Sequence, residues 1–332
     1  MLPALMLKPP DIDPLAVRRQ FSRRAVTLPG ADFLYREIEQ RMFERLELIR
    51  VEPERLLDVG CGLGGGLERL AGRFPQAASY GVDSASGMLA ANRFAAQAAS
   101  GSASGPTTGS TSGGLTRRLR GLPGRLGARL GARSAAAAAI GRERVSLIAA
   151  DAGRLPFADA DIDLLWSNMA WHWFVDPPSV AQEWRRVIRP GGLLMFSGFG
   201  VDTLRELRRL GAQLPEFPDL HDIGDLLGQS GFTDPVMDTE RLTVSYDDPA
   251  KLMAEWHAMA GNASRDRRRG CSTPRQRQAW AREVGGLRGA DGRLHVSVEI
   301  VYAHAWRGAP VAPGDAYRPI NWMRRRNGEQ PR

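Results

Sequence analysis

Cysteine is almost absent from this chain, whose 332 residues contain only Cys61 and Cys271. Two cysteines cannot build the disulfide framework of a small secreted domain, and no Cys-x-x-Cys pair is present to indicate a structural zinc site. Apolar runs near the ~20 residues of a membrane span are also absent, and the N-terminal apolar stretch, broken by Pro3 and Pro9, is too short for a signal peptide. We therefore expect a cytoplasmic chain without a membrane partner, in which Cys61 is a small packing residue.

Acidic residues are missing from one long stretch, residues 97–142, which carries a cluster of six arginines. These six account for most of the formal net charge of +8, so the basic excess is local. Glycine, serine and threonine dominate residues 100–114, which predicts a flexible insertion. Such an insertion is either solvated or binds an acidic surface, for example a carrier protein, and we expect no nucleic-acid partner. The arginines are Arg117, Arg118, Arg120, Arg125, Arg129 and Arg133.

A glycine-rich turn, residues 56–66 with the sequence LLDVGCGLGGG, is the most informative stretch that is present. Its apolar start predicts a buried parallel strand. The glycines that follow allow a sharp turn and let the backbone pass close to a ligand. The next predicted strand, residues 78–82, ends at Asp83, whose carboxylate can accept hydrogen bonds from both hydroxyls of a ribose. The glycines concerned are Gly60, Gly62 and Gly64.

Asp58 distinguishes this turn from a dinucleotide-binding turn. The dinucleotide fingerprint G-x-G-x-x-G holds a pyrophosphate at a helix N-terminus. Here the pattern is D-x-G-x-G-x-G, with an acid two residues before the first glycine. A carboxylate at that position repels a pyrophosphate but suits a cationic amino-acid group such as that of S-adenosylmethionine. The alternative is that the glycines serve only a tight turn.

The pattern beyond the turn predicts an α/β fold with a doubly wound, mostly parallel sheet. The third predicted strand ends at Asp151 and the fourth at Asn168. The sequence R-P-G-G at residues 189–192 predicts the turn into a fifth strand, and two later strands are expected to be mostly antiparallel. The predicted strands cover residues 56–59, 78–82, 144–150, 162–167, 193–197, 238–245 and 294–306, and predicted helices include residues 32–49, 66–74 and 182–188.

The turn resembles motif I of the class I S-adenosylmethionine-dependent methyltransferases, a Rossmann-like family. The resemblance implies that Asp58 lies near the methionine part of the cofactor and that Asp83 binds its ribose. It also implies that Asp151 lies near the adenine amino group, while Ala152 offers a backbone N–H to the ring. The other expected cofactor-binding residues are Gly60 and Gly62, which line the methionine part, Gly64, Asn168, and Met88, which lies against the adenine or is simply packed.

Further motifs resemble the BioC-type malonyl-[acyl-carrier protein] O-methyltransferases of biotin synthesis, over most of residues 15–305. The resemblance implies methyl transfer from S-adenosylmethionine to the free carboxylate of a malonyl group carried by an acyl carrier protein. The ester would disguise the malonyl unit as a fatty-acid primer. The motifs are RRQFSRRA (18–25), ADFLYREIEQRM (31–42), SNMAWHW (167–173), EWRRVIRPGG (183–192), FGVDTLRELR (199–208) and DIGDLLGQSGF (222–232).

Three functions remain open on the sequence alone. The first is the carboxyl O-methyltransferase. The second is a methyltransferase with another acceptor, or a hydroxylase-like role, because some of the same motifs resemble a mitochondrial complex I assembly factor of this superfamily. The third is a non-catalytic protein that retains the cofactor fold, against which the intact Asp58, glycine turn and Asp83 argue.

The chain is long enough, and at 43% apolar residues rich enough, to bury a substantial core. We expect an N-terminal arm over residues 1–31 and one methyltransferase domain over residues 32–306, with C-terminal additions to the sheet. The basic insertion interrupts this domain at about residues 97–142. Residues 307–332 are expected to form a disordered tail.

The arm supplies the candidates for gripping the acceptor carboxylate. An arm that crosses the cleft would bring a bidentate guanidinium to the substrate, so we expect Arg23 or Arg24 to perform this role. Family members commonly carry a tyrosine seven residues after the phenylalanine of the arm, Phe21. This chain has Leu28 there, so a hydroxyl expected near the substrate carboxylate is missing.

His172 is the third candidate catalytic residue. It lies between two tryptophans just past Asn168 and could orient an acyl substrate or act as a base. The alternative is that the rings close an apolar edge and the histidine satisfies a local hydrogen bond. We expect no metal site, because His221, Asp222 and His257 lack the spacing of a ligand set.

Overall fold

The computed structural model describes residues 11–94, 144–259, 263–265, 267 and 273–308. The insertion predicted at residues 97–142 lies outside this part of the chain, as does the predicted tail from residue 309 onward. Within it, no helix combines the length and the apolar character that a membrane span requires.

A seven-stranded sheet forms the centre of the fold, with the order β3-β2-β1-β4-β5-β7-β6. The first five strands pair in parallel, whereas β7 runs antiparallel to both of its neighbours. Each parallel strand is followed along the chain by a crossover to the next, which produces the doubly wound arrangement. The strands are β1 (Arg55–Val59), β2 (Ala78–Asp83), β3 (Val145–Ala149), β4 (Ile162–Ser167), β5 (Ile188–Phe199), β6 (Phe232–Tyr246) and β7 (Leu294–Arg307).

Helices cover both faces of the sheet, so alternate residues of one strand enter two separate cores. Leu56 of β1 packs in the core beneath α2, α3, α8 and α9, and the adjacent Leu57 packs in the core beneath α5 and α7. The helices are α1 (Pro14–Arg24), α2 (Phe33–Glu47), α3 (Gly65–Arg73), α4 (Ser86–Ala91), α5 (Pro177–Val187), α6 (Arg205–Arg209), α7 (Leu220–Gln229), α8 (Pro249–Ala258) and α9 (Pro274–Gly285).

The prediction that the R-P-G-G sequence forms a turn before β5 is wrong. The sequence lies within the strand. Ile162 of β4 pairs with Ile188 and Leu164 pairs with Leu193, so β5 carries extra residues between these two pairs. Gly191 within this irregularity has φ +75°, which a side chain would strain. The sequence is therefore a bulge that allows one long strand to pair with both β4 and β7.

Helix α1 of the N-terminal arm packs across the start of α4. The backbone N–H of Gly87 donates to Ser22 Oγ at 3.3 Å, and a Cβ at Gly87 would lie 2.3 Å from the Ser22 carbonyl oxygen. The other end of the arm is fixed as well, because the N–H of Asp13 donates to Ala263 O and its side chain caps α1. The arm therefore lies over the carboxyl ends of the parallel strands.

Candidate functional site

A cavity of about 500 Å³ opens at the carboxyl ends of β1, β2 and β4. The strand order reverses between β1 and β4, which is where open α/β sheets bind their ligands. Its volume lies within the range of small-molecule sites. Helix α1 forms the roof with Pro14, Val17, Arg18 and Phe21, and α2 with the residue before it forms one wall with Asp32, Tyr35, Arg36 and Glu39.

The glycine turn forms the floor of the cavity. Gly60, Gly62 and Gly64 have φ of +75°, +49° and +83°, respectively, a region that residues with a side chain rarely adopt. Gly60 and Gly62 line the cavity, and nothing lies within 3.8 Å of the position that a Cβ at Gly62 would take. Gly64 is not among the lining residues, and its Cβ position lies 2.6 Å from Asn92 Oδ1. Gly64 therefore serves the shape of the turn rather than contact with a ligand.

Asp83 lies where β2 ends, beside the turn. Its Oδ2 accepts the N–H of Gly62 at 3.0 Å and its Oδ1 accepts the N–H of Ala85 at 2.8 Å. Burial raises the pKa of this carboxyl, although these backbone donors oppose the shift. Each oxygen has a further lone pair, so the carboxylate is held in place and can still accept hydroxyl hydrogen bonds from the cavity.

Asp58 adds a second carboxyl group to the cavity floor, and a positively charged ligand would favour its ionised form. The residue is 3% exposed, and burial together with the charges of Glu39 and Asp83 raises its pKa well above the ordinary value. Three carboxyl groups near one wall disfavour an anion and favour a positively charged ligand. The residues present therefore fit S-adenosylmethionine, with Asp58 near its cationic methionine part and Asp83 at its ribose.

The opposite wall is apolar where an adenine would lie. Met88 of α4 is 1% exposed and Ala152 is 8% exposed, and both line the cavity. Asp151 lines it too, and its Oδ1 accepts the N–H of Gly153 at 2.9 Å, which fixes the turn after β3. All three residues line the part of the cavity where the adenine is expected.

Asn168 lines the cavity at the end of β4, but its polar atoms are engaged within the protein. Its Nδ2 donates to Tyr35 O at 3.1 Å and its Oδ1 accepts from Ser197 Oγ at 2.9 Å. These bonds tie α2 to the sheet. Met169, the next residue and also a lining residue, has φ +53°, a strained value for a residue with a side chain. Asn168 therefore shapes the cavity, with one N–H left for a ligand.

Neither arginine expected to grip the acceptor lines the cavity. Arg23 is exposed on α1, two residues and therefore about 200° around the helix from Phe21, which faces the cavity. Arg24 turns back along the helix, where its Nη1 donates to Gln20 Oε1 at 3.0 Å, and partial burial lowers its pKa. Arg18, one turn before Phe21, is the arginine of α1 that lines the cavity.

His172 lies in an aromatic core and is not among the lining residues. It is 2% exposed, its ring lies 4.4 Å from that of Phe199, and its Nδ1 accepts the N–H of Phe199 at 3.2 Å. Burial lowers the pKa of His172 to about 3, so the ring is neutral near pH 7 and a weak base. Its placement favours the alternative of a packed histidine with a local hydrogen bond, because the short helical turn Trp171–Trp173 directs the ring into the core.

Replacing His172 with alanine is expected to lower the free energy of unfolding by about 2–4 kcal/mol, because aromatic packing is lost and the Phe199 N–H is left unpaired. Affinity for S-adenosylhomocysteine should be unchanged in the folded variant. Urea unfolding and calorimetric titration measure the two quantities. A variant of unchanged stability that no longer turns over would restore His172 to the catalytic site.

Comparison with known proteins identifies the family. A family model described as a methyltransferase domain matches residues 107–196. The malonyl-[acyl-carrier protein] O-methyltransferase of Methylovorus sp. (strain MP688) is 36% identical over 322 residues, which cover 95% of this chain and 96% of that protein. The protein of the same name from Laribacter hongkongensis (strain HLHK9) is 39% identical over 307 residues, 90% of each chain. The chain belongs to the malonyl-[acyl-carrier protein] O-methyltransferase family.

Membership of the malonyl-[acyl-carrier protein] O-methyltransferase family, together with the sheet topology, confirms the predicted fold class. It also confirms the predictions of an S-adenosylmethionine-dependent methyltransferase and of S-adenosylmethionine as cofactor. Among solved structures, the YcgJ protein from Bacillus subtilis has a TM-score of 0.50 at 14% identity, over 81% of this chain and 98% of that one, and this likeness concerns the fold alone. The roles of individual site residues stay predictions.

The sequence did not predict that α2 belongs to the site of this O-methyltransferase. Its apolar stripe lies in the core, with Ile38 and Leu46 fully buried. A neighbouring face of the same helix carries Tyr35 and Glu39, one turn apart, and both line the cavity. The sequence contains a signal for this second face, a tyrosine and an acid at positions i and i+4 beside the buried stripe. The stripe alone does not tell which part of the protein the second face contacts.

Proposed function

We propose that this chain transfers the methyl group of S-adenosylmethionine to the free carboxylate of a malonyl group carried by an acyl carrier protein. The observation that carries the proposal is the arrangement of charged groups around the cavity. Carboxylates suited to the cofactor form its floor, and a helix with a cavity-lining arginine, Arg18, forms its roof. The names of the relatives, which match this chain over 90% or more of its length, support the same acceptor.

The chemistry demands little from the side chains. When bound, S-adenosylmethionine supplies an electrophilic methyl group on a positively charged sulfur. A malonyl carboxylate is already a nucleophile, so the reaction needs no general base. The chain must align the carboxylate with the methyl group and keep water out, effects that can supply roughly 7–11 kcal/mol. The α1 roof and the walls of α2 and α4 perform both tasks.

Arg18 is the residue we propose for gripping the malonyl carboxylate, in place of Arg23 or Arg24. Its side chain lies at the cavity, and no hydrogen-bond or ion-pair partner for it exists among the described residues. Arg36 also lines the cavity but is already paired with Asp32 at 2.8 Å. An unpaired guanidinium at the roof can bind a carboxylate through two parallel hydrogen bonds.

Replacing Arg18 with alanine is expected to lower kcat/KM for a malonyl-carrier protein by about 10- to 100-fold, because a charge-assisted pair with the substrate is lost. Affinity for S-adenosylhomocysteine should not change. Steady-state kinetics and calorimetry measure these quantities, with Arg23→Ala and Arg24→Ala as matched controls on the same helix. If kcat/KM falls only in Arg23→Ala or only in Arg24→Ala, that arginine and not Arg18 binds the malonyl carboxylate.

The outer side of α1 supports docking of an acidic carrier protein. Residues 14–31 contain no acidic residue, and Arg19 and Arg23 are exposed, without an ion-pair partner in the described part of the chain. We propose that residues 11–31 act as an arm that covers the cavity, and that its exposed arginines attract the carrier beside the entrance. The attraction is electrostatic, so association should slow as ionic strength rises.

We further propose that the reaction serves biotin synthesis in the cytoplasm. The experiment is complementation of a biotin auxotroph that lacks its malonyl methyltransferase, with the Asp83→Ala variant as control. The wild-type chain should restore growth without biotin, and the variant should not, at equal soluble protein levels. No growth with soluble wild-type chain would contradict the proposal.

A further inference from the structure

Glu39 of α2 is a mostly buried acid that lies beside the cavity, and its charge is only partly compensated. Its side chain is 12% exposed, and the nearest nitrogen of Arg69 lies 3.7 Å away. That guanidinium is shared, because Arg69 also donates to Gln40 at 2.7 Å and stacks over the ring of Phe43. Burial raises the pKa of Glu39 to about 7, which shows that its surroundings do not fully stabilise the charged form.

Glu39 and Asp58 converge on one point at the start of α3. Glu39 Oε2 lies 3.2 Å and Asp58 Oδ2 lies 3.4 Å from the position that a Cβ at Gly66 would take. Trp166 Nε1 lies 3.3 Å from the same position and is buried without a hydrogen-bond partner in the described part of the chain. Both acids line the cavity, as do Gly65 and Gly66. This cluster of incompletely paired polar side chains therefore adjoins the space for the ligand.

We propose that Glu39 is a further cofactor-binding residue, which together with Asp58 accepts hydrogen bonds from the cationic amino group of S-adenosylmethionine. The proposal depends on the cofactor and not on the identity of the methyl acceptor. An ammonium group has three donors and no acceptor, so two carboxylates on different elements can each take one of its protons. Asp58 comes from β1 and Glu39 from α2, so the ligand would join the sheet to the cavity wall.

A purely structural role explains the geometry less well. Two carboxyl groups that face one point repel each other when both are charged, and the charge of Glu39 contributes to the raised pKa of Asp58. The long contact with Arg69 does not remove this cost, since that side chain is itself 39% exposed. A cation placed between the carboxylates would remove it, and S-adenosylmethionine brings one.

The charge of Glu39 links cofactor binding to pH. The charged groups that face it are Asp32 before α2, Asp58 on β1, Arg69 on α3 and Arg93 after α4. Because the ionised carboxylate binds an ammonium group more strongly than the neutral acid does, binding should become tighter as pH rises towards and through 7. Binding at lower pH should release a proton. The ligand amino group stays charged over this range, since such groups lose their proton nearer pH 8.

Calorimetric titration of the full chain with two ligands tests the proposal. S-Adenosylhomocysteine retains the amino-acid group, whereas 5′-methylthioadenosine lacks it. The Glu39→Gln variant should bind S-adenosylhomocysteine about 10- to 30-fold more weakly than the wild type and 5′-methylthioadenosine equally well. Glu37→Gln is the matched control, because Glu37 lies on the same helix, points to Arg41 and does not line the cavity.

The outcomes separate this proposal from the cofactor assignment. Equal affinities of Glu39→Gln and wild type for S-adenosylhomocysteine would overturn the role of Glu39 while leaving the cofactor in place. So would a loss of affinity that is the same for both ligands, because it would report a structural effect. A wild-type chain that binds neither ligand would instead contradict the cofactor itself. Between pH 5.5 and 7.5, the affinity of the wild type should rise more steeply than that of Glu39→Gln, in which Asp58 is the remaining acid at this point of the cavity.

Discussion

Replacing Asp83 with alanine is expected to weaken the binding of S-adenosylhomocysteine by about 100-fold or more. The substitution would remove the hydrogen bonds that the Asp83 carboxylate accepts from both ribose hydroxyls. It would also release the N–H groups of Gly62 and Ala85, which it holds at 3.0 and 2.8 Å, so the turn beneath the cofactor would loosen. Calorimetric titration measures the affinity, and methyl transfer should fall with it.

Two further variants make the Asp83 result interpretable. Asp83→Asn keeps one acceptor oxygen for the backbone and should lose less affinity than the alanine variant. Asp161→Ala removes a carboxylate at the opposite edge of the sheet, where it pairs with Arg55 at 2.8 Å, and should bind the ligand normally. If Asp83→Ala melts like the wild type and binds equally well, Asp83 does not hold the ribose.

Replacing Gly87 with alanine is expected to lower kcat/KM for a malonyl-carrier protein by about 100-fold, the loss typical of a displacement near 1 Å in a catalytic arrangement. The new Cβ would lie 2.3 Å from the carbonyl oxygen and 2.6 Å from the Cα of Ser22. These are backbone atoms, so no side-chain rotation relieves the contact. Helix α1 must move away from α4 and carry Arg18 with it, which opens the cavity to water.

Gly72→Ala is the matched control for this variant. Gly72 also lies within a helix, α3, and nothing lies within 4 Å of its Cβ position. The same substitution there should leave activity unchanged and stabilise the chain by up to about 1 kcal/mol, the usual gain of alanine over glycine in a helix. Trypsin should cleave after the arginines of α1 faster in Gly87→Ala than in Gly72→Ala. Equal activity and equal cleavage would show that α1 does not need its place on α4.

The parts of the site that depend on local backbone chemistry could be predicted from the sequence. The glycines of the turn are required by their own left-handed φ values, and Asp58 and Asp83 follow from their positions at the ends of parallel strands. Residues at such ends converge whatever the loops do, because the strand order brings them to one edge. Asp151 and Asn168 reached the cavity for the same reason.

The parts that depend on how separate elements meet could not be predicted in this way. The period of α1 shows that Arg18 and Phe21 share a face and that Arg23 lies on another, but it does not show which face looks into the cavity. The close contact between Ser22 and Gly87 decides that orientation. For this reason the sequence alone did not distinguish Arg18, which lines the cavity, from Arg23 and Arg24, which do not.

His172 and Glu39 show the same limit in opposite directions. A histidine between tryptophans at the end of a strand has the sequence context of a catalytic residue, yet the turn of the backbone buries it against Phe199. Glu39 has the context of a surface acid on an amphipathic helix, yet it lines the cavity beside Gly65 and Gly66. In both cases the local sequence pattern is compatible with a position in the site and with a position outside it. Tertiary packing decides between the two.

The most direct measurement is mass spectrometry of a malonyl-carrier protein incubated with the purified chain and S-adenosylmethionine. The carrier should gain the mass of one methyl ester on its malonyl group, and mild ester hydrolysis should remove it. An acetyl-carrier protein, which has no free carboxylate, should gain nothing. An unmodified malonyl-carrier protein, in the presence of folded chain that binds S-adenosylhomocysteine, would contradict the proposed reaction.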